Sequence, residues 1–142
     1  MGWLPKDRVV VPVDFSDESF AAAELALELV AGPAHLHLIH VLPVLTPSEP
    51  GVIWNTVDDE SRRKHARAAI AQRLQHAQFQ GVQIEIAFGD PGPEIAEFAA
   101  QLRAELIVLS SHGRTGLSRV LIGSVAERVV RLAHCPVLVL RK

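Results

Sequence analysis

The sequence predicts a doubly wound α/β domain, with five parallel strands in the order 3-2-1-4-5 and helices on both faces of the sheet. Three observations carry that expectation. Short β-branched runs alternate along the chain with longer stretches of helical spacing, the pattern of strands joined by helical crossovers. The runs are apolar at nearly every position, as in Val9-Val10-Val11 and Leu106-Ile107-Val108-Leu109, which suits strands covered on both faces. Right-handed crossovers among five such strands put the first at the centre and reverse the winding between strands 1 and 4.

Residues 8–13 form the first strand. Ser16 follows as an N-cap, with Asp17 and Glu18 at the positive end of the helix dipole, and residues 20–30 supply the apolar face of the first helix. Gly32 and Pro33 end it. Residues 35–42 read as the second strand, and the Pro-rich stretch from 43 to about 55 as a mobile loop, since it has neither periodicity. A long helix is expected from roughly 58 to 78, with Ala66, Ala69, Ile70 and Ala77 facing inward and Gly81 as its stop. Residues 82–88 alternate, Val82, Ile84 and Ile86 sharing one face, as in an edge strand. Gly89 to Pro93 reads as a turn. Residues 94–103 then form a helix with Ile95, Phe98, Ala99 and Leu102 on one stripe, and 106–109 a buried strand. A polar loop from Ser110 to Gly123 leads to the last helix, 124–133, and to the last strand from Pro136 to Leu140, at the other edge.

Composition narrows the function classes. A chain of 142 residues, 49% apolar and 21% charged, fits one globular domain. At this length folding buries roughly 68–70% of the unfolded surface, enough for one real core. The net charge of -2, with Lys and Arg scattered among acids, offers no basic face for a nucleic-acid backbone. The lone Cys135 leaves no internal disulfide and no zinc-finger spacing, which suits a reducing compartment. No apolar run approaches the ~18 residues that span a bilayer, and no targeting segment stands out at the start. The expectation is a soluble cytoplasmic protein without membrane or nucleic-acid partners.

Ligands of doubly wound sheets bind outside the carboxyl ends of the strands where the winding reverses, so the loops leaving strands 1 and 4 carry the candidate site. The first is Asp14-Phe15-Ser16, just past Pro12 and Val13. The second runs from Ser110 through Ser111, His112, Gly113, Arg114 and Gly116 to Gly123, Ser124 and Val125, where a helix begins. Its glycines let backbone N–H groups approach an anion, the helix N-terminus adds partial positive charge, and Ser124 offers an N-cap hydroxyl. Arg114 and Arg119 add guanidinium forks matched to phosphate oxygens. The same glycines also suit tight turns and the serine a simple cap, so composition alone leaves both readings open. With no Gly-Lys-Ser/Thr and no G-x-G-x-x-G, the Walker and dinucleotide modes are excluded. A carboxylate at Asp14 suits ribose hydroxyls or an adenine amine, and equally well caps the first helix with Ser16.

The Val-Pro-Val-Asp-Phe-Ser run ending at Ser16, the His40-Val41 end of the second strand, the block from Ser111 to Ser124 and the closing Cys135-Pro136-Val137-Leu138-Val139 resemble the universal stress protein family, in order and over essentially the whole chain. Nucleotide-binding members of that family carry Gly, two residues, Gly, nine residues, then Gly-Ser or Gly-Thr. Gly113 and Gly123-Ser124 match that pattern, and Ser110 stands where the first glycine would be. The resemblance implies a Rossmann-like sheet and an ATP-binding regulatory module of the stress response, with or without Mg²⁺. An enzyme of the same doubly wound class, a nucleotidyl transferase or hydrolase, is the alternative, but no acid–base pair or nucleophile with an oriented base can be assembled at the switch point, so the expectation is no enzyme beyond weak ATP hydrolysis. The resemblance implies that Asp14 and the backbone at Val41 hold the adenosine end, and Gly113, Gly123, Ser124 and Val125 the phosphates. It also implies a homodimer through the strand from Pro136 to Leu140, whose bare apolar edge C2 pairing would cover. The competing reading is an interaction-only stress protein that has lost nucleotide binding, the reading Ser110 favours.

The remaining candidates have plainer explanations. His35 and His37 share one strand face and His40 points to the other, so no third metal ligand is in view. His112 suits a phosphate neighbour or a solvated loop residue. Cys135 reads as a packed, inert thiol despite His134, Asp90 as turn chemistry, and Arg62, Arg63, Lys64 and Arg67 as a solvent face.

Overall fold

In chain order the elements are β1 (Val9–Pro12), α1 (Asp17–Leu27), β2 (Leu36–Leu42), α2 (Asp59–Arg73), β3 (Gln83–Phe88), α3 (Pro91–Leu102), β4 (Leu106–Ser110), α4 (Ser124–Leu132) and β5 (Val137–Leu140). The computed structural model describes residues 2–45, 58–111 and 122–141. Residues 46–57, which hold most of the Pro-rich stretch, and the polar loop between 112 and 121 therefore lie outside the described residues. All strand pairs are parallel and the order is β3-β2-β1-β4-β5, as the sequence predicts.

Strand alternation splits the core in two. Val9, Val11 and Val13, with Leu36, Leu38, Leu106 and Val108, pack on one face against Phe20, Ala22, Ala23 and Ala26 of α1 and Ala66 and Ile70 of α2. Val10, Ile39, Ile107 and Leu109 pack on the other against Ile95 and Ala99 of α3 and Ala126 and Val129 of α4. Val9, Val10, Val11, Ile107 and Val108 are fully buried. At roughly 1.5–3 kcal/mol per buried side chain, this doubly covered floor is the main source of stability. No helix among the described residues is long and apolar enough to cross a membrane.

Several boundaries differ from expectation. The first helix stops at Leu27, because Val30 turns back to bridge Lys6 and Ala31 N–H donates to the Lys6 carbonyl. His35 belongs to a 3-10 turn, Pro33–His35, not to β2. The second helix is shorter than expected: Asp58 is its N-cap, bonding Ser61 N–H, and Ala77–Phe79 is a separate 3-10 turn that buries Phe79. Ala69 is exposed, one step off the stripe of Ala66 and Ile70, and the side chain of Ala77 is outside the description. The Pro-Gly-Pro expected as a turn is the first turn of α3: proline at N1 loses no hydrogen bond, since that N–H has no helical acceptor.

Candidate functional site

A cavity of about 320 Å³ opens at the carboxyl ends of β1 and β4, where the winding reverses. Its described lining comes from six elements. The β1 end gives Pro12, Val13 and Asp14, with Ser19 of α1 beside them, and the β2 end gives Ile39, His40 and Val41. Leu109, Ser110 and Ser111 come from β4 and its exit, Pro91 and Ile95 from α3, and Gly123 to Ala126 with Val129 from α4. The sites predicted at Pro12, Val13, Asp14, Val41, Ser110, Gly123, Ser124 and Val125 are thus brought together. His112, Gly113, Arg114 and Gly116, and Arg119 with them, lie outside the described residues.

The β1–α1 turn is held by serines. Ser16 Oγ accepts from Ser19 N–H (3.1 Å) as the N-cap and donates to Asp14 Oδ1, which also accepts from Ser16 N–H at 3.0 Å. Ser19 Oγ donates to the Ser16 carbonyl (2.9 Å) and accepts from Asp14 N–H at 3.2 Å. Ser16 is therefore the cap itself, Asp14 braces that serine through its N–H and hydroxyl, and Asp14 also lines the cavity. Between them Phe15 takes φ 67°, a left-handed conformation costly for an aromatic residue. Its ring meets His40 edge-on at 4.8 Å and tilts toward Phe20 at 6.2 Å.

On the opposite wall, Ser111 N–H donates to the Leu140 carbonyl (2.8 Å) and Gly123 N–H to the Ser111 carbonyl (2.6 Å), so the two ends of the second loop are tied to each other and to β5. Gly123, not Ser124, is the N-cap of α4, at φ −63°, ψ 156°, and it makes no side-chain cap bond. Ser124 is the first helical residue. Helix α4 therefore presents its positive end to the cavity, where an anion is favoured by up to about 1 kcal/mol.

Sequence reasoning missed Ser19, Ile39, His40, Pro91, Ile95, Leu109, Ala126 and Val129 as lining residues. Ile39 and Leu109 were legible as strand residues near the reversal. Pro91 and Ile95 were not, because they reach the cavity only through α3 lying beside α4. There Gly92 sits against Arg128, and Asp90, at the N-cap position of α3, forms an ion pair with Arg128. Asp90 is thus a link between helices rather than turn chemistry alone.

The shifted titrations lie away from the cavity. Burial, with His35 and Arg8 nearby, lowers the His37 imidazole pKa, and a hydrogen bond from Asp7 N–H holds the Glu105 carboxyl below its usual range. Burial pushes the Cys135 thiol up, as expected for a packed, unreactive cysteine. Among the described residues no three His, Cys, Asp or Glu side chains are grouped to hold a metal.

Comparison with known proteins places this geometry. Residues 6–141 match the model of the universal stress protein family. The chain is 39% identical to universal stress protein MJ0531 of Methanocaldococcus jannaschii, over 95% of this chain and 82% of that one. Its fold is similar to that of universal stress protein UspA from Lactobacillus plantarum, with a TM-score of 0.75 and 30% identity, covering 96% of this chain and 98% of that one. It is also similar to a universal stress protein in complex with cAMP, with a TM-score of 0.56 and 25% identity over 96% and 98% of the two chains. The sheet order, the site at the winding reversal and these likenesses agree: the chain belongs to the universal stress protein family.

Proposed function

We propose that this protein is a cytoplasmic regulatory module of the stress response that binds an adenine nucleotide, ATP with or without Mg²⁺, in the cavity between β1 and β4. One observation carries the reading: residues from four separate stretches of chain, Pro12–Asp14, Val41, Ser110 and Gly123–Val125, converge on that cavity. Its mostly apolar walls suit a base, Asp14 suits a sugar hydroxyl, and the N-terminus of α4 suits phosphate. The related universal stress protein in complex with cAMP, itself an adenine nucleotide, supports the same class of ligand. The protein acts by binding rather than by metabolic catalysis, with hydrolysis at most weak.

The test is isothermal titration of nucleotide-stripped protein with ATP and Mg²⁺, beside Gly123→Val, which puts a branched side chain into the cavity wall. Saturable binding that the variant loses supports the reading. No binding to the unaltered protein refutes it and favours the interaction-only reading, with Ser110 as the residue that departs from the nucleotide-binding pattern.

A homodimer through β5 belongs to the same proposal. The two sheet edges differ: β3 presents Gln83 and Glu85 to solvent, and Arg67 Nη2 donates to the Ile84 carbonyl. The β5 edge is Val-Leu-Val-Leu, with Leu138 exposed and Val130 of the neighbouring α4 48% exposed. An uncharged apolar edge favours pairing with a second copy.

A further inference from the structure

The described wall of the cavity carries charge of the wrong sign for an anion. Asp14 is the one carboxylate in its described lining, and no Lys or Arg joins it there. Two more acids stand at the start of α3: Asp90, next in the chain to the lining residue Pro91, and Glu94, whose side chain lies against Gly89. Asp90 occupies the N-cap position of α3, yet its carboxylate makes no cap bond; Oδ2 accepts instead from Arg128 Nη1 of α4 at 2.5 Å. Arg128 stands between the lining residues Ala126 and Val129 of its own helix, and Gly92, which has no side chain, lets α3 come against its Cβ. The next cation of α4, Arg131, is paired with Glu127. Among the described residues, Arg128 is therefore the one cation set between two lining residues of one helix, and it is paired with an acid beside the wall.

From this arrangement we propose that Arg128 is a specificity-determining residue that acts on ligand charge: by holding Asp90 in an ion pair it cancels the carboxylate next to the cavity wall and so admits a polyanionic nucleotide. This rests on the nucleotide-binding reading above. The side chains of Arg128 and Asp90 are 47% and 57% exposed, so their mutual attraction adds little to stability, and their effect is on the field at the wall. A unit charge about one screening length away, ~10 Å, shifts the affinity of a singly charged ligand by less than about twofold and that of a triphosphate by roughly three- to tenfold. An uncharged ligand does not feel it. Breaking the pair from either side therefore has opposite consequences: Arg128→Gln leaves the Asp90 carboxylate bare beside the anion, whereas Asp90→Asn leaves the Arg128 cation. Simple support of the helix contact would make the two losses alike.

The experiment is isothermal titration of Mg²⁺-free ATP and of adenosine into the unaltered protein, Arg128→Gln, Asp90→Asn and the double variant, with thermal melting to check each fold. The expected result is an ATP affinity about fivefold weaker in Arg128→Gln, about fivefold tighter in Asp90→Asn and near the parent in the double variant, with both shifts shrinking at high salt and adenosine unmoved throughout. Opposite signs for ATP decide by themselves, even where adenosine binds too weakly to titrate. Both single variants weakening ATP together, or neither moving it, would overturn the role of Arg128 while leaving nucleotide binding intact. Absence of saturable ATP binding by the unaltered protein would overturn the nucleotide reading and this inference with it. If Arg128→Gln melts early, Arg128→Lys and Asp90→Asn still decide: the lysine keeps the charge and must keep the parent affinity, and the asparagine must still tighten it.

Discussion

Gly92 stands at the second position of α3, facing α4, and a Cβ built there would lie 2.8 Å from Arg128 Cβ and 3.5 Å from Arg128 Cδ. Carbon atoms pack best at about 3.5–4.0 Å, so the contact is far inside the repulsive wall. A rotamer change at Arg128 cannot relieve it, because its Cβ is fixed to the backbone of α4. In an open helix Gly→Ala stabilises by roughly 0.5–1 kcal/mol. Here overpacking costs about 1–3 kcal/mol and outweighs that gain. Gly92→Ala should therefore destabilise by about 1 kcal/mol, a fall of roughly 3–4 °C in melting temperature for a domain of this size. Because Pro91 and Ile95 of α3 and Val125 and Val129 of α4 line the cavity, forcing the helices apart should also weaken the nucleotide binding proposed above. Arg128→Ala removes the ion pair with Asp90 but keeps the offending Cβ, so Gly92→Ala should cost about as much in that background. A Gly92→Ala protein that melts at or above the parent temperature would show that the helices are not in this close contact.

Arg73 Nη2 pairs with Asp17 Oδ1 at 3.1 Å, and its guanidinium sits 4.2 Å over the Phe20 ring, tying α2 to α1. The pair is largely exposed, so Arg73→Ala should cost about 1 kcal/mol, mostly from the ring contact, and a double-mutant cycle with Phe20→Leu should return a coupling of roughly 0.5–1 kcal/mol in urea unfolding. The lowered pKa of His37 means that the unfolded chain takes up the proton first: its contribution to stability is complete above pH 6.5 and is lost as pH falls from there through the folded value. The stability of the parent relative to His37→Gln should accordingly decline below pH 6.5 and stay constant above it, as followed by urea midpoints across pH. At Phe15 the usual order of alanine and glycine should invert. Both substitutions lose the ring, but glycine escapes a left-handed penalty of about 1–2 kcal/mol that exceeds its entropy cost, so Phe15→Gly should melt above Phe15→Ala.

The sheet order was legible because parallel, doubly covered strands announce themselves as unbroken apolar runs, and the site followed because the order fixes where the winding reverses. Helix limits were harder to read. Pro91-Gly92-Pro93 has the composition of a turn, and only the absence of an acceptor for the first N–H groups lets it open a helix. Residues 74–78 have the helix propensity of α2, yet burial of Phe79 requires the chain to turn back, and that tertiary demand overrides propensity. His40 read as one of three scattered histidines because its partner, the Val13 carbonyl, is set by a turn in which a phenylalanine adopts positive φ, a conformation that no residue preference assigns to it.

That strained turn has a physical logic. Holding Phe15 at positive φ costs about 1–3 kcal/mol, a penalty that persists only where the surroundings over-determine the conformation. They do so here from two sides. Ser16 and Ser19 join Asp14 and the start of α1 in a closed set of hydrogen bonds, and the Phe15 ring is seated between His40 and Phe20. Relaxing Phe15 would give up several hydrogen bonds, each worth about 1 kcal/mol net, together with the ring contacts, so the strained form wins. The far wall is fixed by a different device, the Gly123 to Ser111 to Leu140 relay that anchors the N-terminus of α4 to the sheet. Both walls are set by bonds internal to the protein, so a ligand entering between them spends little of its binding energy on ordering the site.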